Sequence, residues 1–412
     1  MYQIIFYVII GILVFDYILE QFLDYLNATK RSSHLPSELE GIYDTEKYKK
    51  SQDYDRVNHK FSILTSSFNL ILILVFLYFS GFALIDSFAR SYSSNPILVA
   101  LIFFGIIMFA SDIVHIPFSI YDTFIIEERF GFNKTSVKTF VFDKIKGWII
   151  AALIGGGLIS LIIWFYNSVG DFFWIYAWIV VSLFTLFMTM FYTSLIVPLF
   201  NKLKPLEDGD LKDAITSFCI GVDFKLDNVF VMDGSKRSTK ANAYFSGLGK
   251  KKKIVLFDTL IEKLNKEEIV AVLAHEIGHY KKKHTLSSLF SSILQTGLTF
   301  YILSLFVGNP DLSKALGSTI PSFHLGLITF GFLYSPISTI IGLFMNVISR
   351  KNEYAADQFA SENYKGIYLQ DALKKLSVNN LSNLTPHPLY VFFNYSHPTL
   401  LQRLKFIEKF NK

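Results

Sequence analysis

The chain holds a single cysteine, Cys219, among 412 residues. That excludes an internal disulfide framework and any cysteine-ligated zinc site, and leaves Cys219 as a small apolar filler. Lysine and arginine are missing ahead of the first apolar run, residues 3–22, and no small-residue cleavage site follows it. Both absences argue against a removable signal peptide and for a first spanning helix. Basic residues are also scarce elsewhere: only Arg90 and Lys314 lie outside residues 30–63, 129–146, 202–283 and 350–412. The net charge of +5 is therefore a partitioned charge that duplex binding does not require, and nucleic acid is not an expected partner.

What the chain does have is apolar length. Hydrophobic residues make up 51% and aromatics 17%, with a mean hydropathy of +0.38, above the soluble norm. After residues 3–22, apolar runs recur at 63–85, 96–121, 147–166, 172–197, 286–308 and 323–349, each long enough to cross about 30 Å of hydrocarbon. Seven alternating spans put all four lysine-rich segments on one side, so the positive-inside rule makes that side cytoplasmic and the N-terminus external. Asp16, Glu20 and Asp24 form an acidic stripe on the first span, either a solvated face at headgroup level or one turned to an internal aqueous cavity. Asp112, His115 and Asp122 around the third span read as interhelical polar contacts, and Gly155, Gly156 and Gly157 as a close-packing patch in the fourth.

Residues 198–285 form the sizeable soluble segment. A helix is expected over 210–220 and strands over 228–232, 241–246 and 252–257, the last two around Gly247 and Gly249. Asp258 suits the start of a short helix, and Asn265 with Glu268 resembles a capping box opening the next one. An edge strand before that helix could hold an extended peptide by main-chain hydrogen bonds.

The helix so capped carries His275-Glu276-Ile277-Gly278-His279. Histidines four apart share one helical face and can reach one metal ion, with Glu276 as general base beside them, the H-E-x-x-H pattern of zinc peptidases. Catalytic zinc needs a third protein ligand. Directly after the seventh span, Glu353 and Asp357 fall on one helical face. Glu353 can complete a two-histidine, one-glutamate site, and Asp357 can accept a hydrogen bond from a ligating imidazole. His397, in Ser396-His397-Pro398, is an available donor for a developing oxyanion. His284 is off the metal face and reads as structural; His34, His59, His324 and His387 have no diagnostic partners.

Taken together, Ser235-Lys236-Arg237-Ser238, Asn242-Ala243-Tyr244-Phe245-Ser246-Gly247, Ile254-Val255-Leu256-Phe257-Asp258, the metal helix, Glu353-Tyr354-Ala355-Ala356-Asp357 and Ser396-His397-Pro398 resemble the integral-membrane CAAX prenyl protease 1 family. The resemblance runs from Leu35-Pro36-Ser37-Glu38 through Glu127-Glu128-Arg129-Phe130-Gly131-Phe132-Asn133 to Arg403. It implies a membrane all-α fold of seven helices around a water-filled chamber, with a small cytoplasmic α+β zinc-peptidase region. It also implies one Zn²⁺ per chain on His275, His279 and Glu353, with Glu276 as base. Asn242, Ala243 and Arg403 would bind the substrate, with His397 and Arg403 near the scissile bond or its carboxylate product. Substrates would be peptides with CAAX-like or lipidated C-termini, met within membrane lipid. The short stretch between Leu260 and Glu268 and the absence of an ER-retention tail suggest a prokaryotic-type homologue in an inner membrane. The expected division is 1–197 for spans one to five, 198–285 for the metal-helix segment, 286–349 for spans six and seven, and 350–412 for the C-terminal helices. Alternatives are a quality-control protease acting on unlipidated membrane proteins, and a non-catalytic zinc-binding transporter or scaffold.

Overall fold

A computed structural model of the chain describes residues 1–32, 34–35, 40–225, 229–249 and 252–410. Positions 36–39, and with them most of the Leu35-Pro36-Ser37-Glu38 motif, fall outside the described residues, as does residue 228 of the first expected strand.

The apolar runs become long helices because a chain in hydrocarbon must satisfy every backbone N–H and C=O within itself. They are α1 (Tyr2–Ala28), α2 (Thr45–Tyr78), α4 (Pro96–Tyr121), α5 (Val137–Ile150) continuing into α6 (Gly156–Val169), α7 (Phe173–Leu195), α11 (His284–Phe306) and α12 (Phe323–Asn363). Among the described residues, 6 helical stretches are long and apolar enough to cross a membrane. The stretch Val137–Phe200 contains α5, α6 and α7. Gly170, at φ 56°, opens a one-turn reversal after which α7 packs back on α6. Counting α6 and α7 separately gives seven segments.

Boundaries differ from the apolar runs where local chemistry overrides hydropathy. The run 63–85 is split, because Ser80 adopts the left-handed conformation, ending α2 and starting the separate α3 (Gly81–Tyr92). Asn95 caps α4 by accepting from Ile97 and Leu98 N–H, with Pro96 in the first turn. The acidic stripe of α1 faces inward: Asp16, Glu20 and Asp24 line a cavity of about 460 Å³ with Ser62 of α2 and Thr339 and Asn346 of α12. Asp112 accepts from Lys144 Nζ at 2.6 Å and Trp148 Nε1 at 2.7 Å, tying α4 to α5. His115 meets Asn69 of α2 at 2.7 Å, and Asp122 opens a π-helical turn that continues α4 to Glu127. Of the three glycines, Gly156 alone has a neighbour at van der Waals distance, Leu101.

The soluble segment is a four-stranded sheet with helices on it. The strands are β1 (Leu203–Pro205), β2 (Val229–Met232), β3 (Ala243–Ser246) and β4 (Lys253–Phe257), in the order β1-β2-β4-β3. β2 and β4 are parallel, while β1 and β3 pair antiparallel at the two edges. β1 is an addition to the expected strands, and β3 starts at Ala243, two residues later than expected. α8 (Asp210–Gly221), α9 (Asp258–Lys263), α10 (Lys266–Lys281), α13 (Gly366–Asn379), α14 (Pro388–Asn394) and α15 (Leu400–Glu408) complete it. Phe257, not Asp258, occupies the cap position of α9; the Asp258 carboxylate instead accepts from Ser235 N–H at 2.9 Å. The core joins Ile215 and Phe218 of α8, Ile254 and Leu256 of β4, Leu273 and Ile277 of α10 and Leu369 of α13. α12, 41 residues long, leaves the bundle without a break and enters this core through Ala360.

α12 begins in close contact with the end of α11. A Cβ on Gly326 would lie 2.8 Å from the Val307 carbonyl oxygen, while one on Gly331 would meet nothing within 4 Å. Gly326→Ala should therefore destabilise the protein by about 1–3 kcal/mol, whereas Gly331→Ala should be neutral or gain up to about 1 kcal/mol from helix propensity. Thermal unfolding of both variants in one detergent checks the contrast.

Candidate active site

α10 is shaped by its ends. Asn265 accepts from Glu268 N–H at 2.9 Å, Glu268 Oε2 accepts from Asn265 N–H at 3.0 Å, and the capping box is complete. Glu268 is itself buried, and its other oxygen accepts from Lys375 Nζ of α13 at 2.6 Å. The far end of α10 lies against α12 through Gly278, where a Cβ would come within 3.1 Å of Ala356 Cα and 3.2 Å of its carbonyl oxygen. The missing side chain lets the two helices approach at the level of the histidines.

That approach brings together His275, His279 and Glu353, which among the described residues form a group whose ligand atoms lie within 4.8 Å of one another. His275 Nε2 and His279 Nε2 are 3.2 Å apart. Glu353 Oε2 is 3.4 Å from His275 Nε2, and its Oε1 is 3.2 Å from His279 Nε2. Bonds of about 2.0–2.1 Å to a tetrahedral metal place neighbouring ligand atoms about 3.3–3.4 Å apart, so the three separations fit one small cation. Glu353 Oε2 is buried without a hydrogen-bond donor, an orphaned acceptor that a cation would satisfy. Oxygen and imidazole nitrogen in this arrangement suit zinc.

Each imidazole is backed through its other nitrogen. His275 Nδ1 meets Asp357 Oδ1 at 2.9 Å, with Asp357 fully buried. His279 Nδ1 meets His284 Nδ1 at 3.0 Å. The cluster's demand for positive charge shows in His275. Its burial and the Arg403 guanidinium oppose protonation, but the carboxylates of Asp357 and Glu353 outweigh them and push its pKa up to about 9.

The sequence-expected residues divide by location. Glu276, half-buried, follows His275 on α10. His397 stands at the open side, its side chain 62% exposed and Nε2 3.3 Å from Glu353 Oε1. Asn242 is exposed just ahead of β3, accepting from Ala243 N–H, and Ala243 opens that edge strand, which packs beside α10. Arg403 lies deeper. It is buried behind His275, donating through Nε and Nη2 to both oxygens of Asp357 at 2.9 and 2.6 Å, with its side chain 12% exposed. The same guanidinium reaches the metal side of the cluster, its Nη1 standing 3.7 Å from Glu353 Oε2.

Two contributions were not expected. His284 reaches His279 because α10 ends at Lys281 and Lys283, at φ 59°, turns the chain so that α11 starts with His284. A histidine at the first residue of the next helix was the available signal. Asn346 and Arg350 of α12 hold α14 and the loop after it that carries His397: Asn346 donates to the Phe393 carbonyl at 2.8 Å, and Arg350 to the Val391 carbonyl at 3.3 Å and to the Tyr395 carbonyl; nothing in their spacing announces it.

Comparison with known proteins agrees with this architecture from end to end. The CAAX prenyl protease N-terminal family, described by five membrane helices, matches residues 24–202, and peptidase family M48 matches residues 205–411. The chain belongs to family M48. Among its relatives are "CAAX prenyl protease 1" of Saccharomyces cerevisiae, 37% identical over 96% of this chain and 94% of that protein, and the Arabidopsis thaliana homolog, 36% identical over 97% and 96%. The human homolog is 33% identical over 91% of this chain and 89% of its own length. The crystal structure of S. mikatae Ste24p superposes with a TM-score of 0.93 at 34% identity, covering 98% of this chain and 99% of that one. Membership in this zinc metallopeptidase family makes the chain a multi-pass membrane metalloprotease.

In this M48 protein Asp357 is the common partner of His275 and Arg403. Asp357→Asn keeps the shape but removes the charge, and should weaken zinc binding by about 10–100-fold. Competition of the full-length protein against a chromophoric chelator measures it directly.

Proposed function

We propose that the chain is a zinc-dependent membrane endopeptidase that cleaves CAAX-like, prenylated C-terminal peptides, using one Zn²⁺ held by His275, His279 and Glu353. The observation that carries the reading is the His275–His279–Glu353 cluster, with a buried Glu353 oxygen that accepts no hydrogen bond, set beside the edge strand β3. When bound there, zinc supplies Lewis acidity toward a peptide carbonyl and acidifies water.

The remaining steps belong to the chain. Glu276 takes the proton of the attacking water and passes it to the departing amine, the general-base and then general-acid role suited to a half-buried carboxylate beside the ligands. His397 donates to the oxyanion as the carbonyl carbon becomes tetrahedral. Main-chain groups of Asn242 and Ala243 align the peptide as an added strand along β3, ahead of the ligands. Asp357 and Arg403 keep His275 in the tautomer whose Nε2 lone pair faces the metal.

The partition of lysine and arginine supports an external N-terminus and a cytoplasmic placement of the catalytic segments. In this reading the chain divides at 197, 285 and 349 into spans one to five, the metal-helix segment, spans six and seven, and the C-terminal helices that bring the third ligand, Glu353, with Asp357 and Arg403. The relatives' printed names support the substrate class; the polar cavity of about 460 Å³ among α1, α2 and α12 supports an aqueous path within the bundle.

Glu276→Gln should retain metal at the wild-type level while peptide hydrolysis falls by at least about 10³-fold; metal analysis and turnover on one preparation check it, and a variant that still turns over removes Glu276 from the base role. Substrate class is tested with one C-terminal peptide in farnesylated and unmodified forms. The farnesylated form should have the higher kcat/KM. Equal cleavage of both would favour a protease of unlipidated membrane proteins.

A further inference from the structure

The loop between β2 and β3 is fastened to the segment that follows α4 by main-chain bonds, Thr239 N–H to the Phe132 carbonyl and Lys134 N–H to the Arg237 carbonyl, each at 3.0 Å, and to the membrane helices themselves by two cations. At its base, Arg237 donates to both carboxylate oxygens of Asp143 on α5, at 2.8 and 3.0 Å, and to Asn201 Oδ1 at 3.0 Å. Three residues on, Lys240 Nζ donates to Glu127 Oε2 at 2.8 Å and to the Tyr54 hydroxyl oxygen at 3.0 Å. Tyr54 in turn donates to the other oxygen of Glu127. The ammonium lies 4.4 Å from the Phe132 ring centroid, a distance at which ring and cation attract. Tyr54 belongs to α2, and Glu127 closes the π-helical turn that extends α4. One lysine therefore joins the cytoplasmic-side ends of two membrane helices.

Its place in the chain gives that attachment a consequence. Asn242 and Ala243 follow within three residues, and the Asn242 carbonyl accepts from Phe257 N–H at 3.1 Å, which begins the pairing of β3 with β4. The Lys240 carbonyl accepts from Thr259 Oγ1 at 3.0 Å, at the start of α9. The metal ligands are tied elsewhere, to α12 through Gly278 and Glu353. A peptide strand added along β3 would thus lie between ligands positioned by α12 and a strand whose start is tied to α2 and α4.

We infer that Lys240 is a positioning residue for substrate: its bonds to Glu127 and Tyr54 hold the start of β3 at the spacing from the metal site that an added peptide strand requires. This rests on the proposed reading that β3 binds the peptide. Strand addition holds ground state and transition state alike, so its loss is a KM effect with little change in kcat. A lesion of the metal site or of the fold as a whole would lower kcat or metal content instead.

The test uses the full-length protein in detergent with a quenched, farnesylated C-terminal peptide. Lys240→Met should raise KM by about tenfold and leave kcat within about twofold, with zinc content unchanged. Lys240→Arg should recover most of the affinity, because it still places a cation on Glu127. Glu127→Gln should reproduce the KM increase without touching the loop, and serves if Lys240→Met folds poorly. The double variant should be no worse than either single, the mark of two groups acting through one contact. An unchanged KM, strictly additive effects, or a joint loss of zinc and kcat would overturn the inference. A wild-type protein that cleaves no C-terminal peptide would overturn the functional reading itself, a result distinct from any behaviour of the variants.

Discussion

The contact on which the site depends is backbone against backbone, where Gly278 of α10 meets Ala356 of α12. Two histidines on one helix and a glutamate on another can share a small cation only if their backbones come close enough for these short side chains to meet. The glycine supplies the closeness and the interior supplies its permanence, since Ile277, Leu273 and Ala360 are buried in one core around that point. Close-packed interiors resist displacement, so the separation of the ligand atoms is held by many side chains at once.

Around that contact the polar groups are arranged in successive partners. Glu353 faces both metal-side nitrogens, Asp357 takes the other nitrogen of His275, and Arg403 takes both oxygens of Asp357. A buried carboxylate such as Asp357 is costly unless charge and hydrogen bonds compensate it, and here a guanidinium and an imidazole do so together. The same economy operates at the start of α10, where buried Glu268 closes its own helix cap and receives Lys375 from α13. The helices after α12 are thereby part of the site's support, although none of them carries a member of the His275–His279–Glu353 cluster.

The bundle and the soluble region meet through two kinds of link. α12 passes from one to the other as a single helix and carries Glu353 and Asp357 with it. The loop of Arg237 and Lys240 meets α5 and the extension of α4 by ion pairs and α2 by a hydrogen bond to Tyr54. The first link is one continuous helix; the second is local, and joins those polar side-chain bonds to main-chain bonds between residues 132–134 and 237–239. A cavity lined by Asp16, Glu20 and Asp24 lies between the first and last membrane helices, so carboxylates in the bundle face a space where water can solvate them.

Much of this was written in the order of residues. Hydropathy gave the membrane helices, because hydrocarbon forces a chain of that length into helix. The capping box at Asn265 and Glu268, the four-residue spacing of His275 and His279, and the same-face pair Glu353 and Asp357 are local patterns whose geometry a helix dictates. The split of the run 63–85 at Ser80 was not legible, since a left-handed serine carries no apolar signature. Nor were the short edge strand β1, the turn that delivers His284 to His279, and the direction of Arg403, whose partner Asp357 is 46 positions away. The sequence by itself determined which side chains could bind a metal and move a proton, because those properties belong to residue type and helical spacing. Only the tertiary structure decided that Glu353 meets the two histidines, that Arg403 faces Asp357, and that Lys240 ties β3 to the bundle, because each depends on how close two distant backbones come.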